Sequence, residues 1–90
     1  MKSNVTPNFR KLLRALPKDV RKQARDSYRL FKSDPYHPSL QFKQISQRTK
    51  RYSVRIGMHY RALGLQVADD LIVWEWIGSH AEYDNLLKRR

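Results

Sequence analysis

Two periods divide the chain. From Phe9 to Phe31 apolar residues recur at helical spacing; from Leu40 to Ile77 they mostly alternate at the period of two that marks strands. Phe9, Leu12, Leu13 and Leu16 fall on one stripe, with Arg10, Lys11 and Arg14 opposite. Thr6-Pro7 starts this helix, offering a hydroxyl to the N-cap and a proline to the first helical position. Pro17 ends it and opens a second helix, which buries Val20, Ala24, Tyr28 and Phe31. Arg21, Lys22, Arg25, Arg29 and Lys32 are displayed outward. So short a connection predicts an αα-hairpin.

Ser33 to Pro38 carries two prolines and reads as a loop. Leu40 and Phe42 then alternate with Gln41 and Lys43, and Ile45 closes a first strand. Gln47 to Arg51 is a basic turn. Tyr52, Val54 and Ile56 alternate with Ser53 and Arg55 on a second strand. Gly57-Met58-His59 connects it to a third, Tyr60 to Val67, and Asp69-Asp70 turns into a fourth, Leu71 to Ile77. The run from Leu71 to Trp74 predicts a central strand covered on both faces. Trp74 and Trp76 are expected on the same face, as core or rim. Ser79 to Glu82 reads as a capping box for a last short helix, with Tyr83, Leu86 and Leu87 on its apolar side. The expected fold class is α+β: an N-terminal αα-hairpin packed on a four-stranded, mainly antiparallel sheet, with a short C-terminal helix. At this size one domain is expected over residues 1–90, with a thin core and no deep substrate cavity.

Charge changes this picture most. The chain holds 19 Lys and Arg against 8 Asp and Glu, a formal net charge of +11. The excess is uneven: residues 1–61 hold 16 basic and 3 acidic side chains, residues 62–90 hold 3 and 5. Such a field attracts polyanions and favours nucleic acid over an acidic protein as the partner. Without cysteine there is neither a disulfide framework nor a thiolate metal site, and His37, His59 and His80 are scattered without acidic companions at ligand spacing. No metal and no cofactor are expected. No apolar run reaches membrane-spanning length, and the first residues lack an apolar leader segment, so the expected location is the cytoplasm, with no membrane partner. No Gly-rich phosphate loop, nucleophile elbow or paired-carboxylate motif is present.

The segment RYSVRIGMHYRALG, from Arg51 to Gly64, resembles the Y-x-(V/I)-(R/K)…Y-R-hydrophobic hairpin of the RelE/ParE superfamily of toxins. HPSLQFK, from His37 to Lys43, is similar to the approach to that family's second strand. WIGSHAEYD, from Trp76 to Asp84, is similar to its final strand and the polar segment beyond. The αα-hairpin with a proline at its bend also lies where the family has one, so the resemblance covers nearly the whole chain.

The resemblance implies a bacterial toxin of a type II toxin–antitoxin pair, neutralised by a cognate antitoxin, expected to be acidic, in a hetero-oligomer. In the RelE branch such proteins are metal-independent endoribonucleases that cut mRNA, commonly on the ribosome. In the ParE branch they inhibit DNA gyrase without chemistry of their own, and a degenerate homologue that has lost toxicity is a further alternative. The resemblance places Arg55 and Arg61 at phosphate-binding positions and His80 at that of the general acid. Arginine suits a phosphorane because its fork holds two oxygens and stays charged. Histidine suits the leaving 5′-oxygen because its ordinary pKa, about 6.5, lets it hold and release a proton near neutrality. Tyr83 is read either as orienting base or phosphate, or as core. Ser53 and Gly57 stand where the best-known RelE pattern has two further basic residues. Lys43, Lys50 and His59 are the candidate replacements as base or phosphate ligand, with Arg51 a further RNA contact.

Overall fold

The computed structural model describes residues 1–88. The chain runs β1 (Lys2–Val5), α1 (Pro7–Arg14), α2 (Lys18–Ser33), a 3₁₀ turn (Pro38–Leu40), β2 (Lys43–Ser46), β3 (Arg51–Ile56), β4 (Tyr60–Ala68), β5 (Leu71–Ser79) and α3 (His80–Lys88). The strands form one sheet in the order β1-β5-β4-β3-β2. β2 through β5 make the expected antiparallel meander. The fold class is α+β as expected, with a fifth strand that the hydrophobic pattern did not disclose.

That fifth strand, β1, pairs parallel to β5 with Lys2 opposite Leu71 and Val5 opposite Trp74. Its sequence KSNV has neither alternation nor length, so tertiary bonds define it. The Tyr28 hydroxyl donates to the Ser3 carbonyl (2.8 Å), and the Trp74 indole N–H donates to Ser3 Oγ (2.7 Å). β1 thereby flanks β5, which becomes the interior strand that its apolar run requires.

Each helix start follows its sequence signal. Thr6 Oγ1 accepts from the Phe9 N–H (3.1 Å) at the head of α1. Ser79 and Glu82 close a reciprocal capping box on α3: the Ser79 N–H donates to Glu82 Oε1 (2.9 Å), and the Glu82 N–H donates to Ser79 Oγ (3.1 Å). The helix pair covers one face of the sheet and buries Phe9, Ala24, Phe31, Val54, Ile56, Ala62, Ile72, Trp74 and Ile77. The centre is aromatic: Phe31 meets Phe42 (4.9 Å) and Trp74 (5.3 Å) edge-on. Between α1, α2 and the sheet an apolar cleft of about 480 Å³ remains, edged by Arg10, Arg25, Arg29 and Lys32. A chain this short was not expected to leave such space.

Two local readings are corrected. The first strand does not begin at Leu40. Pro38–Leu40 is a 3₁₀ turn, with His37 Nδ1 accepting from the Ser39 N–H (3.2 Å), and Gln41 adopts the left-handed conformation (φ 46°). The apparent alternation arises because this loop, though no strand, still turns Leu40 into the core. The second correction concerns the tryptophans. Register runs Gly64 opposite Trp74 and Leu63 opposite Trp76, so Glu75 is an extra, bulged residue of β5. The bulge reverses side-chain alternation beyond it. Trp74 is buried with the helix pair, while Trp76 lies on the opposite face.

Candidate functional site

Strand register defines the face turned away from the helix pair. Residues directly opposite one another in a sheet share a face. One row across it is Lys43, Ser53, Leu63 and Trp76; the next is Arg55, Arg61 and Gly78. Arg51 and Leu65 form a third. α3 starts directly from the end of β5, and its Tyr83 packs on this face over Arg61.

Arg61 is the unusual member. It is only 7% exposed. Its Nη2 donates to Gln41 Oε1 (2.9 Å), and the Tyr83 ring centroid lies 5.4 Å from its Cζ. Its Nε and Nη1 are buried without any hydrogen-bond partner. A charged group so placed is costly, and it creates a strong local demand for an anion. Ser53 Oγ, in the neighbouring row, is likewise buried and unpartnered. No acidic side chain bonds to Arg61 among the described residues.

Arg55 stands opposite Arg61 in register. Its Nε donates to the Gly57 carbonyl (2.8 Å), which holds it at the hairpin end of the sheet. Gly57 has φ +60°, a left-handed conformation that glycine adopts without strain. His59, in the same turn, accepts the His80 N–H on its carbonyl (2.7 Å). The start of α3 is thus tied to the hairpin that carries both arginines. His80 keeps its side chain half exposed, with Nε2 3.5 Å from Asp84 Oδ2 and its ring centroid 6.0 Å from that of Tyr83.

Arg55, Arg61, His59, His80 and Tyr83 thus gather around the turn end of the β3–β4 hairpin, where Arg55 also lines a groove beside Gln23, Ser27 and Leu30 of α2. Lys43 shares the helix-free face from the edge strand β2. Arg51 shares it too but is held by Glu75 (Nε to Oε1, 2.9 Å). Lys50 sits in the β2–β3 turn in the left-handed conformation, at the far end of β3 from Arg55. That separation is roughly 16 Å, about five residues of extended chain. Three participants were not foreseen. Gln41 gave no signal, because its reach to Arg61 depends on a left-handed loop residue. Ser53 stands out in the sequence only as a departure from a basic pattern. Alternation alone puts Trp76 on the face of Trp74, because a bulge leaves no mark in it. Among the described residues no three His, Asp or Glu side chains group as metal ligands, and no helix is long and apolar enough to cross a membrane.

A family profile described as the ParE-like toxin domain matches residues 18–85, most of the chain. The chain belongs to the ParE-like toxin family. Within the RelE/ParE superfamily, this toxin shares its fold with several solved structures. The toxin–antitoxin RelB–RelE complex of Methanococcus jannaschii aligns at 20% identity and TM-score 0.70, covering 92% of this chain and 96% of that one. YafQ of Escherichia coli aligns at 13% and 0.70, covering 91% and 96%. The isolated RelE toxin of E. coli aligns at 19% and 0.64, covering 98% and 96%. At these identities the likeness establishes the toxin's fold. A search of curated proteins by sequence gave no match.

Proposed function

We propose that this RelE/ParE-type toxin is a metal-independent endoribonuclease that cuts mRNA, on the ribosome, in the cytoplasm, as a single domain over residues 1–90. One observation carries the reading: a buried guanidinium with two unpartnered nitrogens, set opposite a second arginine in register and under the tyrosine of the helix that a half-exposed histidine begins. Structural ion pairs do not leave such nitrogens empty, whereas a phosphate site must hold donors in reserve.

RNA supplies its own nucleophile. The 2′-OH attacks the adjacent phosphorus, the bond to the 5′-oxygen breaks, and a 2′,3′-cyclic phosphate remains. Arg61 and Arg55 hold the non-bridging oxygens as charge accumulates. His80 donates a proton to the departing 5′-oxygen, and His59, joined to it through the backbone, takes the proton of the 2′-OH. Phosphate reaches Arg61 Nε and Nη1 when the Tyr83 ring gives way, and Tyr83 then packs against the bound nucleotide. Lys43 and Arg51 hold flanking phosphates on the same face, and Lys50 contacts RNA beyond it. No cofactor is required.

The antitoxin partner belongs to the other face. The cleft between α1, α2 and the sheet has an apolar floor and a rim of Arg10, Arg25, Arg29 and Lys32. An acidic amphipathic segment matches both features, and the RelB–RelE neighbours are themselves toxin–antitoxin complexes.

The test is incubation of purified toxin with transcripts, in EDTA without ribosomes and in magnesium buffer with them. Cleavage leaving cyclic phosphate ends is expected, lost in Arg61→Ala and His80→Ala variants. RNA left intact in both settings would remove the reading, and inhibition of gyrase supercoiling would then place the protein with the gyrase-directed toxins.

A further inference from the structure

Trp76 has no structural task that explains its size. It lies outside the buried core, is half-buried, and among the described residues enters no aromatic pair and donates no hydrogen bond. Trp74, two residues earlier, does all of these: it is 3% exposed, packs edge-on against Phe31 and donates to Ser3. The bulge at Glu75 separates their fates by turning Trp76 onto the face that carries the arginines.

The indole is also held in a defined place there. A Cβ built on Gly78 would sit 2.5 Å from Trp76 Cζ2 and 2.7 Å from Cη2. The benzo edge therefore lies over Gly78 and fills the space that any side chain would take. Gly78 is the register partner of Arg61. The indole and the arginine thus emerge from neighbouring strands, about 4.8 Å apart. Lys43 and Arg55 add positive charge on the same face.

From this placement we infer that Trp76 is a stacking platform for the base next to the phosphate held by Arg61. The inference rests on the ribonuclease reading and adds a substrate requirement to it. An aromatic ring beside a cationic strand face takes unpaired bases of any sequence, because every base offers a π-face. A paired base has both faces occupied by its neighbours. The RNA strand must therefore be single where it is cut, with one base unstacked from its neighbour and laid on the indole. The alternative role for Trp76, a lid over its register partner Leu63, needs bulk but no aromaticity.

The probe is a 2′-O-methyl RNA hexamer, which cannot be cut because its nucleophile is blocked, together with the same hexamer carrying abasic sugars. Binding is followed by anisotropy for the unmutated toxin and for Trp76→Leu, which keeps bulk, and Trp76→Tyr, which keeps a ring. Stacking is worth about 1–3 kcal/mol per base, so Trp76→Leu should bind the hexamer roughly 5- to 150-fold more weakly. Trp76→Tyr should stay within a few-fold of the unmutated protein, and the abasic strand should bind all three alike. If Trp76→Leu does not fold, quenching of tryptophan emission decides instead: the hexamer should quench the unmutated toxin and leave Trp76→Tyr, which retains only the buried Trp74, unchanged. Equal hexamer affinity for Trp76→Leu, or absence of quenching at saturation, overturns the stacking role while leaving the arginine site standing. If neither strand binds the unmutated toxin, the stacking role is overturned, while the ribonuclease reading still stands or falls on transcripts cut on the ribosome.

Discussion

Tyr83 lies over the guanidinium of Arg61, ring centroid to Cζ 5.4 Å, while two of the three guanidinium nitrogens beneath it have no partner. The contact belongs to the class of cation–π pairs, worth about 0.5–2 kcal/mol. It covers the arginine without neutralising it. The site is thus closed by one aromatic side chain, above a charge that remains unsatisfied.

Arg61 should therefore cost stability. Arg61→Met keeps the volume beneath Tyr83 and removes the unpartnered donors. Thermal and urea unfolding should show it at least as stable as the unmutated protein, with a gain of about 1–3 kcal/mol within reach. RNA cleavage should fall by at least about 100-fold. Clear destabilisation would mark Arg61 as structural instead.

Tyr83 divides into ring and hydroxyl. The phenol oxygen makes no hydrogen bond among the described residues, and the ring is buried at 4% exposure. Tyr83→Phe should keep cleavage within a few-fold and leave stability nearly unchanged. Tyr83→Ala should lose about 3–5 kcal/mol as a truncated buried aromatic. A large loss of cleavage in a stable Tyr83→Phe protein would give the hydroxyl a direct part in the reaction.

Much of the fold was legible in the residues, and the failures share a cause. The start of α1 and the capping box of α3 follow from short-range rules, each met by a local hydrogen bond, and the meander follows from the period-two pattern. β1, the left-handed Gln41 and the bulge at Glu75 arise from distant partners: Trp74 and Tyr28 for β1, Arg61 for Gln41, the β4 register for Glu75. The site divides the same way. The hairpin pattern put Arg55 and Arg61 on adjacent strands, where the register sets them opposite each other, and the resemblance alone proposed their role. Gln41 and Trp76 were not readable, because each reaches the site through an irregularity that spacing does not show.

The capping box supports the site mechanically, since His80 and Tyr83 both ride on α3. Ser79→Ala removes the acceptor for the Glu82 N–H and should cost about 1 kcal/mol. Hydrogen exchange should show the first turn of α3 opening more often, with the strand amides unaffected. Loss of protection spread evenly over the sheet would contradict this local role.

Glu75 restrains Arg51 in a pair whose two side chains are each 32% exposed. Such pairs contribute little, about 0–1 kcal/mol, so Glu75→Gln should leave unfolding nearly unchanged. With Arg51 released and one negative charge gone from the face, single-stranded RNA should bind a few-fold more tightly at low salt. The gain should shrink as salt rises. Weaker binding at low salt would show that the pair positions Arg51 for RNA.

The chemistry itself is tested most directly on the ends of the cut RNA. Purified toxin is incubated with a defined transcript, free in EDTA and ribosome-bound in magnesium buffer, and the 5′ and 3′ ends are mapped for the unmutated protein and for Arg61→Met. The arginine site requires discrete cuts with 2′,3′-cyclic phosphate and 5′-hydroxyl ends, absent for Arg61→Met although that protein is folded. Intact transcripts under both conditions, or the same cuts made by Arg61→Met, would contradict it.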